Sequence, residues 1–165
     1  MPTDNRPLFE SLHHDYGSMV LQMCLGFVKG DKDIAKDLSQ EVFINTWNAL
    51  DKFKGASSYK TWIYRTTVNT CLKYIRGRKD KNHVSIDEAG SVRFAETSSM
   101  QENASNALYE AIGQLGEIDR LIIMMVLDEV EYEEIADIIG ISSTNLRVKI
   151  HRIKKNLKKL LKNER

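Results

Sequence analysis

The sequence predicts an all-α chain of two small helical domains, a helical bundle and a helix-turn-helix unit, joined by a flexible linker. Three observations carry this. Apolar residues recur at helical spacing from Pro7 to about Arg78. Between Lys81 and Ala104 the period disappears, and "KNHVSIDEAGSVRFAETSSMQENA" scatters its apolar residues among Ser, Asn and acids. From Ser105 the helical pattern returns and ends in a short helix, a glycine-led turn and a basic helix. The expected organisation is therefore a domain over 7–80, a linker over 81–104 and a second domain over 105–163. With 165 residues, 42% apolar and 28% charged, the chain can bury a core and is not disordered.

Taken in order, "PLFESLHHDYGSMVLQMCLGFV" places Leu8, Leu12, Met19, Met23 and Phe27 at helical spacing, and Gly30 is its stop. Asp31 is positioned to cap the next helix, which sets Ile34, Leu38, Val42 and Trp47 towards one side. "FKGASS" is a turn, in which Ser57 or Ser58 can cap a helix that starts near Tyr59. After the linker, "ALYEAIGQL" and "EIDRLIIMMVLDEV" form two helices that separate near Gly116. Tyr132 to Ile139 is a short helix, Gly140 to Ser143 a tight turn, and a long helix begins near Thr144.

On that last helix, Ile150, Ile153 and Leu157 fall within roughly 40° of Leu146 at 100° per residue, so this stripe is core. The opposite side collects Thr144, Arg147, Val148, His151 and Lys155, flanked by Asn145, Lys149 and Arg152. A recognition helix needs this division, because base edges are reached by the face opposite the core and phosphates by long cations on the flanks. Arg147, Val148 and His151 are the candidates for base reading, and Lys149, Arg152 and Lys155 for phosphates. His151 has the alternative reading of an ordinary exposed polar residue.

Charge divides along the same lines. The net charge of +1 conceals two basic blocks, Lys52–Lys81 and Arg147–Arg165, each with nine Lys or Arg and one acid. The remaining residues hold six bases and 21 acids. Two basic blocks on an acidic body suit contact with a polyanion at two places. The first block also carries Phe53, Tyr59, Trp62, Tyr64 and Tyr74 beside a small-residue loop. Rings next to cations suit single-stranded nucleic acid, since rings stack on bases while cations follow the backbone. Helical spacing leaves Trp62 with two readings, core residue or base platform.

Other chemistries lack support. Cys24 and Cys71 sit in apolar surroundings without a CxxC or a partner His, as small buried side chains do. No HxxEH, GxxxxGK[ST] or nucleophile elbow occurs. Asp33, Asp37 and Glu41 meet no convergent ligand from elsewhere in the sequence, so no metal or other cofactor is expected. The longest apolar run, Leu121 to Leu127, is far short of the roughly 20 residues that span a bilayer. The N-terminus carries no basic-then-apolar signal, and the expected location is cytoplasmic.

"DLSQEVFINTWNALDKFKGASSYKTWIYRTTVNTCLKYIRGR", followed after the linker by "YEEIADIIGISSTNLRVKIHRIKKNL", resembles a bacterial RNA polymerase sigma factor of the extracytoplasmic-function group, which keeps only two helical domains, sigma-2 and sigma-4. The resemblance spans roughly Leu8 to Leu161. It implies a non-enzymatic promoter-specificity subunit whose partners are core RNA polymerase, through the clamp helices of its largest catalytic subunit and its flap, and promoter DNA. An anti-sigma factor is a further candidate partner. Asp37, Gln40 and Glu41 are implied at the clamp interface. Phe53, Lys54, Ser57, Ser58, Tyr59, Lys60, Trp62, Arg65 and Asn69 are implied at a flipped −10 base and the opened strand, with Lys73, Arg76 and Arg78 towards its backbone. The helix-turn-helix residues Thr144, Asn145, Arg147, Val148, Lys149, His151, Arg152 and Lys155 are implied at the −35 duplex. The sequence departs from the family in two places: "GASS" lacks the acid that often follows the Gly, and Val148 holds a groove-facing position often given to a polar residue.

Two promoter elements one and a half to two duplex turns apart lie roughly 55 to 65 Å from each other. The 24 linker residues average roughly 27 Å as a coil and reach roughly 80 Å when extended. On DNA the linker is therefore expected to run extended. The rival reading is a free-standing helix-turn-helix regulator, which leaves the ring-and-cation block and the "DLSQEVF" helix without a task.

Overall fold

Seven α-helices and a single 3₁₀ turn make up the described residues, 4–81 and 100–163, of the computed structural model; side chains are described over 4–78 and 106–162. Helix α1 (Arg6–Phe27) opens with Pro7, whose missing N–H has no partner to lose there, and buries Leu12, Val20, Met23, Cys24 and Phe27. Helix α2 (Lys32–Ala49) is capped by Asp31, whose carboxylate accepts from the N–H groups of Asp33 and Ile34 at 3.1 Å each. It buries Ala35, Leu38, Val42, Phe43 and Thr46.

Trp47 departs from expectation. It is 43% exposed, and Thr46 takes the buried place, donating its hydroxyl to Val42 O at 2.8 Å. The reason is angular: nine residues past Leu38 is two and a half turns, so Trp47 points away from the Leu38 line. Its ring meets Phe9 edge-on at 5.2 Å between centroids.

The 3₁₀ turn Leu50–Lys52 leads through the loop to α3 (Tyr59–Lys81). Here Ser58 is the cap, its hydroxyl accepting from Thr61 N–H at 3.1 Å. The inner side of α3 buries Ile63, Tyr64, Val68, Cys71 and Ile75. Tyr64, grouped by sequence with the basic block's rings, is thus a core residue. Cys24 and Cys71 are both buried free thiols, and a hydrogen bond with Cys24, then burial, pushes the Cys71 thiol well above its usual value.

The second half comprises α4 (Met100–Gly113), α5 (Glu117–Leu127), α6 (Tyr132–Ile139) and α7 (Ser143–Asn163). Helix α4 starts inside the stretch expected as linker, because Met, Gln, Glu and Ala favour helix even without an apolar stripe. Residues 82–99 lie outside the described part. Gly140 ends α6 at φ 87°, a left-handed position that disfavours any residue with a Cβ.

Both expected helical units are present, and they pack against each other, α1 on α4 and α5, and α3 on α6. A Cβ built on Gly26 would run into the thioether of Met124, so glycine permits the α1–α5 approach. Arg120 of α5 is buried. It donates from Nε to Phe27 O at 2.9 Å and from Nη1 to Leu115 O at 2.7 Å, while its guanidinium lies 5.3 Å from the Phe27 ring centroid. Burial draws its pKa down, and these partners supply the hydrogen bonds that a buried cation requires. Beside this seam lies a cleft of about 300 Å³, lined by Met19, Met23, Leu108, Tyr109, Ile112 and Leu127 among others.

Candidate nucleic-acid interface

The outer side of α3 is built by helical spacing alone. Trp62, Thr66, Asn69, Lys73 and Arg76 recur three or four residues apart and form a stripe opposite Ile63, Thr67 and Cys71. Asn69, Lys73 and Arg76 are exposed, whereas Thr66 and Trp62 are half-buried. Trp62 is partly buried and packs against the core, while its ring rests on Phe53, centroids 4.8 Å apart at 46°. Phe53 in turn stacks on Tyr59 at 4.6 Å and 28°. A three-ring group of partly covered aromatics thus stands at the head of a polar and cationic stripe.

The structure does not bring every expected residue of this block together. Lys54 and Ser58 are exposed on the loop beside the rings, with Ser57 half-buried. Ser58 is already committed as the helix cap. Lys60 lies about half a turn away from the stripe, on the side of α3 that carries Arg78. Arg78 turns inward and donates to the Tyr74 hydroxyl at 3.0 Å. Arg65 lies at the edge of the stripe and is ion-paired with Asp137 of α6. The Arg65 Nε is buried without an acceptor.

The second surface is the outer face of α7. Leu146, Ile150, Ile153 and Leu157 are buried as the periodicity predicts, fixing the helix against α4, α5 and α6. Thr144, Asn145, Arg147, Val148, His151, Arg152 and Lys155 are exposed, with Val148 at 49%. The Ser142 hydroxyl caps this helix, accepting from Asn145 N–H at 3.1 Å. Two of the cations already hold acids of their own half: Arg147 with Glu133 at 3.1 Å and Lys149 with Asp119 at 3.3 Å. These are exposed or half-exposed pairs, weak enough to exchange for phosphate.

On α2, Asp37, Gln40 and Glu41 are all exposed on one face. That face also carries Ile44, 58% exposed, with Trp47 at its margin. Sequence reading passed over Ile44. The signal was available, since Ile44 falls within roughly 20° of Asp37 on a helical wheel, far from Leu38 and Val42. An exposed apolar centre with an acidic border has the make-up of a protein-docking patch. Among the described residues no group of three or more His, Cys, Asp or Glu could hold a metal ion, and no helix is long and apolar enough to cross a membrane.

Residues 12–81 match the family described as Sigma-70 region 2, and residues 105–157 that described as Sigma-70, region 4. The chain is 32% identical over 129 residues to the ECF RNA polymerase sigma-E factor of Escherichia coli (strain K12), covering 70% of this chain and 68% of that protein. It is 27% identical over 160 residues to the ECF RNA polymerase sigma factor SigW of Bacillus subtilis (strain 168), covering 89% and 85%. The fold is shared with the sigma factor RpoE in its complex with the anti-sigma factor NepR from Bartonella quintana, at a TM-score of 0.78 and 22% identity over 95% of this chain and 98% of that one. It is shared too with CnrH in complex with the cytosolic domain of CnrY, at a TM-score of 0.72 and 21% identity over 98% and 92%.

Proposed function

Because the chain belongs to the sigma-70 family, in its extracytoplasmic-function group of RNA polymerase sigma factors, we propose that it directs core RNA polymerase to promoters by reading a −35 duplex with α7 and trapping an opened −10 strand on α3. The observation that carries this is the pairing of two unlike surfaces in one chain. The α3 stripe joins the clustered Phe53, Tyr59 and Trp62 rings to Asn69, Lys73 and Arg76, whereas the α7 face offers cations, small polar groups and the single imidazole of His151 without a ring cluster. Unstacking a base costs a few kcal/mol, and each ring it meets returns roughly 1 to 3 kcal/mol, so the first surface suits an opened strand. The second suits a major groove. The acidic and apolar face of α2 supplies the contact to the clamp helices of the largest polymerase subunit, with the flap left to the second half. The chain performs no catalysis itself and works in the cytoplasm. An anti-sigma factor is proposed as its regulator, in keeping with the partners of its structural neighbours.

Strand opening tests the assignment directly. Permanganate oxidises unpaired thymines, and core polymerase plus this chain should produce reactive thymines near the start sites it selects. Tyr59→Ala with Trp62→Ala should abolish that reactivity while co-elution with core persists. Asp37→Ala with Glu41→Ala should weaken co-elution first. The opposite pattern would show that these faces have been misassigned.

A further inference from the structure

Helices α2 and α3 carry different surfaces, and a pair of polar side chains joins them. Asn45 of α2 donates from Nδ2 to the Thr70 hydroxyl of α3 at 3.1 Å. Thr70 is buried and turns its own proton to Thr66 O at 2.7 Å, while the Thr66 hydroxyl donates to Trp62 O at 3.0 Å. The Thr70 hydroxyl thus uses its donor and accepts from Asn45 with a lone pair, as a hydroxyl can. From Asn45 the row climbs α3 in two helical steps to the backbone of Trp62, whose ring belongs to the platform. Asn45 itself is half-buried, one turn past Glu41 and beside Ile44, at the border of the exposed acidic and apolar face. Among the described residues its bond to Thr70 is the one hydrogen bond between α2 and α3, which otherwise share an apolar core. Apolar burial is non-directional, whereas a hydrogen bond holds its partners to within about half an ångström and a narrow range of angle.

We propose that Asn45 is a positioning residue for strand opening. Its bond to Thr70 sets the register of α3 on α2, so that core polymerase seated on the face of Asp37, Glu41 and Ile44 places the Trp62 ring and the stripe of Asn69, Lys73 and Arg76 where the opened strand passes. The assignment rests on the promoter reading above and adds to it a residue that acts through Thr70 and not by contact with a base. Threonine hydroxyls bonded to the preceding turn favour a bend, and α3 carries such bonds at Thr66, Thr67 and Thr70. A segment of that kind gains most from an anchor on a neighbouring helix, and Asn45 supplies it at Thr70. Asn45→Leu keeps the approximate volume, removes the donor and leaves the buried Thr70 oxygen one partner short.

Core polymerase with the full chain, on a genomic fragment that the parent protein opens, gives two measurements together: co-elution with core, and the rate at which thymines become reactive to permanganate. Asn45→Leu should keep co-elution at the parent level and slow the appearance of reactive thymines on the order of tenfold. Thr70→Val, which removes the acceptor, should behave alike. Thr70→Ser keeps the hydroxyl and should open as the parent does. Asn45→Leu combined with Thr70→Val should be no slower than either change alone, because both break one bond. Losing that bond should lower the melting temperature by only about 2–4 °C, so the variants stay folded. Parent-like opening by Asn45→Leu, a combined defect equal to the product of the two, or co-elution that falls in step with opening would overturn the assignment. Each of these leaves the promoter reading standing, whereas a parent chain that opens no fragment with core would overturn both.

Discussion

At the scale of single residues, polar groups with one clear duty carry the sharpest expectations. Asp31 satisfies two otherwise orphaned N–H groups at the start of α2, so Asp31→Ala should cost about 1 kcal/mol of stability in a thermal melt without changing the fold. The Cys71 thiol is held protonated by Cys24 and by burial, so the folded state keeps its proton to higher pH than the unfolded chain does. Its contribution is complete below the ordinary thiol value of about 9 and is lost as pH rises past it. Stability measured by denaturant between pH 7 and 10 should therefore fall at the upper end, and Cys71→Ala should remove that part of the slope. An unchanged slope would place the pH dependence in other groups. Sequence reading found the cap at Asp31 and the burial of both thiols, because each follows from local spacing. It did not find Arg120, the cation just before an apolar run, because only one of its acceptors, Leu115 O, is local, while the other, Phe27 O, comes from the far end of α1.

At the scale of elements, period alone specified most of what matters. The core stripe of α7 and the bounds of α6 were legible because Leu146, Ile150, Ile153 and Leu157 repeat without interruption and glycine marks the turn. The start of α4 was not legible, since a helix without an apolar stripe resembles a linker in its pattern. Trp47 was misplaced for the converse reason: its large apolar ring suggests the core, yet its register, half a turn from the Leu38 line, puts it outside. The α2 face that results, with Ile44 at its centre, should bind protein. Ile44→Asp should leave the melting temperature nearly unchanged, as exposed positions do, and weaken capture of core polymerase on the order of tenfold in a pull-down titration. Gly140→Val should instead destabilise by about 1–2 kcal/mol through its left-handed φ of 87°, and so loosen the presentation of α7.

At the scale of the whole molecule, the two-unit plan was legible and the union of the units was not. Composition and period separate the halves, but nothing local announces that Gly26 faces Met124 or that Arg65 meets Asp137, since both pairs join residues remote in sequence. In the proposed reading α3 and α7 serve as two polyanion surfaces, the first with a cluster of three rings, and α2 as a third face for protein, a combination that suits a chain acting together with a larger machine. Salt should distinguish the surfaces. The α7 contact to duplex is mainly cationic and should weaken steeply with salt, whereas the α3 contact, with its ring stacking, should show a shallower slope in fluorescence titrations of single-stranded and duplex probes. The most direct measurement of the central claim is transcription by purified core polymerase on a library of genomic fragments, with and without this protein. The account predicts that the protein co-elutes with core and creates a discrete new set of start sites that share two elements about one and a half to two turns apart. Start sites that do not change, together with a protein that fails to co-elute with core, would contradict it.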